Sequence, residues 1–423
     1  MTDGCAILFV GERRECLQRY PDLKQCVHAH CVISPGFINA HMHMYGILAH
    51  GLSAPVPIGS FESFLKDYWW PLVENVLDVP MLEAATHICA LELLDSGVTT
   101  VCDVLEAPNL AAEGLLCEAA ILRGLHMRCV LSIEASERIS TENGLECLHR
   151  NAGFLQSCLS DPLVSSMLCL HTAFTCSQAF ISQAQRLAEH LGCAIQLHLN
   201  ESTYEPDWCK NHHHLRTALW YDRIGLLTER LLAAQCVQLS TREIDLLTQK
   251  KVRCVHVPLS NCEVGGGIAP VPQLLERGIT VGLGTDGYIN DFFEVMRSAF
   301  LIHKGHNQTA EVMCAPQVWK MATEDGARAV FGDRAPVGAL EPGRQADFQI
   351  ISIADIPTEV TPLNLFDQLI LRRKPQHVIG LCIAGNWVKK NGQLVVGNLT
   401  DAQERCRNES LRLKNRGIEL AAH

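Results

Sequence analysis

The sequence predicts an α/β protein, a (β/α)8 barrel of the TIM type carrying a small β-sandwich built from both chain ends. Three observations predict it. Apolar, β-branched-rich runs of strand length recur eight times, at 32–39, 98–103, 127–133, 167–172, 194–199, 232–239, 252–257 and 279–284. Helical patterns such as 81–94 and 182–190 lie between most of them, and several end at a glycine (Gly97, Gly192, Gly278) suited to a helix C-terminus. Regular strand–helix alternation over eight units favours a barrel over a doubly wound sheet. The flanks, before about Pro35 and after about Pro336, change to short strands and turns, as in 338–343 and 378–388. The expected division is therefore a barrel over 35–336 and a sandwich from 1–34 and 337–423. The N-terminal arm looks short, as though the chain begins inside the small domain.

Composition narrows the function. At 423 residues, 48% hydrophobic and 19% charged, the chain can bury a large core. A net charge of -11 argues against nucleic acid, because phosphate binding needs concentrated basic surface. No uncharged apolar run reaches 18 residues, so no membrane span is expected. The 20 cysteines are scattered singly through apolar stretches such as 168–170 and 253–255, with no CxxC pair. That is how reduced cysteine serves as a small hydrophobe, and it places the protein in the cytoplasm.

Barrel enzymes carry their chemistry at the C-terminal ends of the strands. Those ends read His41 and His43, Asp103, Glu134, His171, His198, Gln235, His256 and Asp286. His41 and His43 are two apart on one strand, so their imidazoles share a face and can reach one point. With His198 and Asp286 they make a set of three imidazoles and one carboxylate suited to zinc or another divalent transition metal.

These segments carry a resemblance. The stretches 35–43, 171–176 (His-Thr-Ala-Phe-Thr-Cys), 198–202 (His-Leu-Asn-Glu-Ser), 258–261 (Pro-Leu-Ser-Asn) and 284–287 (Gly-Thr-Asp-Gly) resemble the amidohydrolase superfamily. The similarity is to its cytosine, guanine and adenosine-type aminohydrolase branch, which also holds chlorohydrolase relatives. The pattern Gly338-x-Leu340-x-x-Gly343-x-x-Ala346-Asp347 is similar to the signature of that family's sandwich, and 69–70 with 281–304 look most like SsnA-type aminohydrolases. The resemblance implies one divalent ion, zinc before others, held by His41, His43, His198 and Asp286. It makes Glu201 the proton shuttle, gives Asp286 a second role in taking a proton from water, and puts His171 against the substrate; Trp70 is a further candidate for substrate contact, although such a tryptophan more often packs in a core or lid. No lysine closes the fourth strand, which disfavours the two-metal branch.

Two departures bear on activity. Where the family's sixth strand ends in histidine, this chain has Gln235, followed by Gln238 in place of a second histidine. Glutamine hydrogen-bonds water but exchanges no proton near neutral pH. The alternative function is therefore a catalytically impaired relative that keeps metal and ligand. Second, Val73 stands where relatives acting on 5′-substituted adenosines carry an acid for the ribose hydroxyls, which favours a free heterocyclic base over a nucleoside. His212-His213-His214 reads as a solvated surface run, and Gly265-Gly266-Gly267 as a loop that approaches the metal closely. The partners expected are a small heterocyclic substrate and, at most, a second copy of the chain in a homodimer.

Overall fold

Eight parallel strands wind into a nearly closed barrel in the computed structural model, which describes residues 1–54 and 57–421. In chain order the strands are β1 (Cys31–Pro35), β2 (Phe37–Met42), β3 (Val98–Leu105), β4 (Arg128–Ala135), β5 (Val164–Ser166), β6 (Leu168–Leu170) and β7 (Ile195–Leu199). They continue with β8 (Leu231–Gln235), β9 (Arg253–His256), β10 (Val281–Leu283), β11 (Phe348–Ser352), β12 (Val378–Ile383), β13 (Asn386–Lys390) and β14 (Gln393–Leu394). The barrel order is β2-β3-β4-β6-β7-β8-β9-β10, with β5 as a short side partner of β4. Every residue of β2, β3, β4, β7 and β8 is buried, as expected of parallel strands covered by helices.

One predicted strand divides. The run 32–39 splits at Pro35-Gly36: β1 pairs antiparallel with β11 in the small sheet, and β2 opens the barrel. Proline cannot donate to a ladder, and a Cβ on Gly36 would fall 2.1 Å from Thr99 Cγ2. The chain therefore crosses between the two sheets where it has neither an N–H to satisfy nor a side chain to place.

The small region is one five-stranded antiparallel sheet in the order β1-β11-β12-β13-β14, drawn from both sides of the barrel as expected. The buried ion pair of Arg128 on β4 with Asp347 (2.8 Å) fastens it to the barrel. The segment 399–421, assigned from sequence to the small domain, is instead a helix (Leu399–Ala421) that packs on the barrel helix Val79–Asp95. Its Ser410 hydroxyl donates to the Leu48 carbonyl, Arg416 ion-pairs with Asp78 at 2.7 Å, and Arg412 also meets Asp78. Asp78 in turn caps the barrel helix by accepting from Met81 N. The helices expected over 81–94 and 182–190 run Val79–Asp95 and Gln178–Leu191. Gly97, Gly192 and Gly278 all have positive φ, as their C-terminal role requires. Among the described residues, no helix is long and apolar enough to cross a membrane.

Candidate metal centre and cavity

The barrel closes where its first and eighth strands meet, and that closure builds the site. Met42 bridges to Asp286 in parallel register; Asp286 N donates to the His41 carbonyl at 3.1 Å. Asp286 takes a left-handed φ of 56°, and a Cβ on Gly284 would sit 2.5 Å from the His41 carbonyl oxygen. The strand junction is thus too tight for any side chain at Gly284. Asn39 pins it further, its carbonyl accepting from Thr285 N (3.1 Å) and its amide donating to Thr285 Oγ1 (2.8 Å).

His41, His43 and His198 converge: one nitrogen from each lies within 4.8 Å of the others, and all three side chains are buried. His43 Nδ1 faces the Val104 carbonyl at 2.9 Å, which places the proton on Nδ1 and leaves Nε2 as a lone-pair donor. His43 Nε2 is 3.3 Å from His198 Nε2 and 3.3 Å from Asp286 Oδ1. Ligands around a tetrahedral ion with bonds of about 2.0–2.1 Å stand roughly that far apart. Both ring nitrogens of His41 and Nδ1 of His198 are buried without a hydrogen-bond partner. Buried polar atoms are rarely left so, and a cation at the convergence point satisfies the ring atom that faces it. The donor set fits a divalent metal.

Electrostatics prepare the same point. Burial, reinforced by the neighbouring imidazoles, holds His41 down to about 3 and His198 well below the ordinary histidine value, so both are neutral donors. Burial works to raise Asp286, but His43, His41 and hydrogen bonds from Gln235 and Ser260 outweigh it and keep the carboxylate ionised. Glu201 moves the other way. Burial, then the Asp286 and Glu205 carboxylates, push it well above the usual range.

Gln235 ends β8, earlier than the run 232–239 suggests, because Gln235 and Cys236 both take positive φ. Its amide donates to Asp286 Oδ2 at 2.7 Å and its carbonyl accepts from Asn261 at 2.5 Å. Ser260 donates to the same Asp286 oxygen at 2.9 Å. Gln238 lies in the following loop and donates to the Gly266 carbonyl at 2.7 Å. A Cβ on Gly266 would come 2.5 Å from the Glu201 carbonyl oxygen, so the triple glycine does approach the centre closely.

A cavity of about 1020 Å³ opens over these residues, lined among others by His43, His171, His198, Glu201, Gln235 and Asp286. His171 is oriented by Thr175 Oγ1, 2.9 Å from its Nδ1. Trp70 is a correction. It does not line the cavity but packs edge-on behind His171 (6.0 Å between ring centroids) and under the Arg138 guanidinium (5.3 Å), while Trp69 faces the opening. Val73 is a second. Its side chain is fully buried, and the carboxylate that reaches the cavity is Glu74, one residue further on, ion-paired to Arg138 at 2.5 Å. Val73, away from the cavity, therefore does not bear on whether a ribose is accepted.

Glu106 has no role in the sequence reading. Ending the second barrel strand at residue 103 hides it, because β3 runs to Leu105 and Glu106 is the residue that leaves its end. It lines the cavity 3.7 Å from His43 and 3.9 Å from His198. His256, at the end of β9, is bound instead to His303 (3.0 Å) in a buried pair, both held neutral by burial and mutual repulsion or nearby histidine charge. His212 stacks on Trp208 and His213 on Trp220, at the end of the helix Tyr204–His213.

Comparison with known proteins follows this geometry. The profile described as the amidohydrolase family matches residues 32–388. A 5-methylthioadenosine/S-adenosylhomocysteine deaminase from Syntrophobacter fumaroxidans is 31% identical over 381 residues, 89% of this chain and 84% of the relative. A 5′-deoxyadenosine deaminase from Methanopyrus kandleri is 31% identical over 384 residues, 90% of this chain and 85% of the relative. Among solved structures, an adenosine deaminase from Xanthomonas campestris with bound zinc superposes with a TM-score of 0.81 at 25% identity, covering 91% of this chain and 87% of that one. The zinc complex of an atrazine chlorohydrolase from Arthrobacter aurescens gives 0.81 at 18% identity over 97% of this chain and 94% of that one, a likeness of fold.

Proposed function

Because the chain belongs to the amidohydrolase family, we propose that it is a zinc-dependent aminohydrolase that removes the amino group of an N-heterocycle, adenosine-type compounds included. The observation that carries this reading is the convergence of His41, His43 and His198, with Asp286 3.3 Å from His43 and both ring nitrogens of His41 buried without a partner. Held there, a divalent cation supplies Lewis acidity that brings a coordinated water's pKa down toward 7.

The chain's own residues supply the rest. Glu201, facing the cavity, can give a proton to a ring nitrogen, regain one from the attacking water by way of Asp286, and pass that second proton to the departing amine. Asp286 has Oδ2 occupied by Gln235 and Ser260, so Oδ1 is the oxygen turned to the imidazoles and the reacting centre. Gln235 spends one amide hydrogen on Asp286, and its second can orient a water without exchanging a proton. His171 lines the cavity, where its ring can meet the substrate. The cavity is at the upper end of what a small organic ligand fills, so it admits more than a bare base. The 20 cysteines without a disulfide suit a reducing, cytoplasmic setting.

The impaired-relative reading is disfavoured by the way Gln235 is built in. It is bonded on both sides, to Asp286 and to Asn261, in a site whose other parts are complete. Ammonia release measured over a panel of purines, adenosines, pterins and triazines, on protein purified without chelator, tests the proposal. About one zinc per chain with turnover on at least one member is expected; one metal without turnover on any would restore the impaired reading.

A further inference from the structure

We propose that Glu205 is a positioning residue for the reaction. Its one buried carboxyl ties the loop that carries His171 to the loop that carries Glu201, and so holds Glu201 where a proton can pass. The inference rests on the aminohydrolase reading and adds to it a residue outside the cavity lining. The need arises at the strand ends. β6 stops at Leu170 and β7 at Leu199, so His171 opens one loop and Asn200-Glu201 the next. The two loops start side by side, with His198 N donating to the His171 carbonyl at 3.2 Å. Beyond that point the backbone N–H groups have lost their ladder partners, and buried ones need an acceptor from elsewhere. A proton donor must also stand within hydrogen-bond reach of the atom it serves.

Glu205 supplies that acceptor twice. It sits in the first turn of the helix Tyr204–His213 and is 3% exposed. Oε1 accepts from Ala173 N at 2.8 Å and Oε2 from Asn200 N at 2.6 Å. Ala173 is two residues past His171, and Asn200 immediately precedes Glu201. Tyr221 donates its hydroxyl to Oε1 at 3.4 Å, which steadies the carboxyl in turn. Asn200 is the residue that needs the clamp. Its φ of 52° is left-handed, a conformation that asparagine tolerates but that its surroundings must hold. Its carbonyl accepts from Gln238 N at 2.8 Å and its side-chain amide donates to Glu243 at 3.3 Å, so the bond to Glu205 completes its backbone pairing. Gly266 closes on the Glu201 carbonyl. The main chain of Glu201 is thereby fixed on both sides of its Cα.

Two variants and two readouts test the clamp on the zinc-loaded protein. Glu205→Gln keeps the size and one acceptor oxygen, whereas Glu205→Met removes both. Amide hydrogen exchange, read by mass spectrometry without any substrate, should rise roughly tenfold in both 171–176 and 198–202 for Glu205→Met, the scale of one lost hydrogen bond to a carboxylate. For Glu205→Gln it should rise in at least one of the two segments, with zinc content and exchange in the rest of the barrel unchanged. A carboxylate that acted on Glu201 through charge alone would leave exchange as in the parent, and that result overturns the proposal. Exchange rising evenly through the barrel in both variants overturns it too. Turnover is read on the member of the ammonia-release panel that the parent deaminates fastest. Glu205→Gln should lower kcat roughly tenfold, the scale of a misplacement below an ångström. In a Glu201→Gln background it should cost almost nothing further, because it acts through Glu201. Losses that multiply in the double variant make Glu205 a merely structural residue and overturn its positioning role. A parent that turns over no member strikes the aminohydrolase reading alone, and the exchange measurement still decides the clamp.

Discussion

The two walls of the cavity are built on different principles. On the metal side, His41, His43, His198 and Asp286 stand at strand ends or just beyond them; His43 is fixed by donating to the Val104 carbonyl, and Asp286 by accepting from Gln235, Ser260 and Gly287. Opposite, Glu74, Glu106, Glu134, Tyr45 and Arg138 crowd together, with Glu74 and Glu134 sharing one guanidinium and Glu106 taking the Tyr45 hydroxyl. The first wall is preorganised for one ion. The second crowds its carboxyls until burial pushes Glu74 up to about 8 and Glu106 well above the usual range, while Glu134, despite its burial, is held down beside His171 and Arg138. The first wall is thus built to hold a cation, and the second to hold protons among its own carboxyls.

The largest effects should break the metal wall. His198→Asn removes the imidazole that faces His43, and metal content by elemental analysis should fall from about one per chain to well below that, with turnover lost alongside. Full metal content in the variant would dissolve the assigned ligand set. Next comes Glu201→Gln, which keeps size but removes the transferable proton. Turnover should drop on the order of 10²-fold or more, with binding of a flat competitive inhibitor nearly unchanged. Equal losses in both would move Glu201 from the reaction to binding.

Gln235→His sharpens the comparison, because this position belongs to the metal wall yet holds no metal. Metal content should stay constant while turnover rises, within the 10²–10⁴-fold range attached to a positioned acid–base group. A fall would show that the bonds of Gln235 to Asp286 and Asn261 matter more than a titrating group. The smallest effect lies beneath both walls. Glu205 accepts from Ala173 N (2.8 Å) and Asn200 N (2.6 Å), and burial raises it to about 7 against 4.5 for a free glutamate. Its raised value means the folded protein holds a proton that the unfolded chain gives up between those two values. Stability from this group is thus full below about pH 4.5 and lost as pH rises through about 7. The urea midpoint of Glu205→Gln should therefore fall less between pH 5 and pH 8 than that of the parent protein; parallel slopes would assign the titration elsewhere.

Much of the metal wall could be read in the sequence because it obeys two periodicities. Side chains at i and i+2 share a face on β2, and barrel strands deliver their last residues to one rim, so the sequence could point to His41, His43 and His198, which the structure brings together. The second wall obeys neither. Glu74 lies in a short irregular stretch after Trp70, and Glu106 emerges three residues beyond the expected strand end. Trp69 and Trp70 are adjacent, and only the local helical geometry decides which of them faces the opening. The helix Leu399–Ala421 was unreadable for a different reason: its polar pattern declares a helix face but not the barrel helix that receives it.

The pairing of Met42 with Asp286 has a temporal consequence. A ribosome delivers the two histidines of the first strand long before the carboxylate of the eighth, and the intervening strands must be laid side by side before the ring of donors is whole. A half-made chain therefore presents a pair of imidazoles but no cage. A metal held by all four of these side chains would load only once the sheet has curled round and its two edges have met.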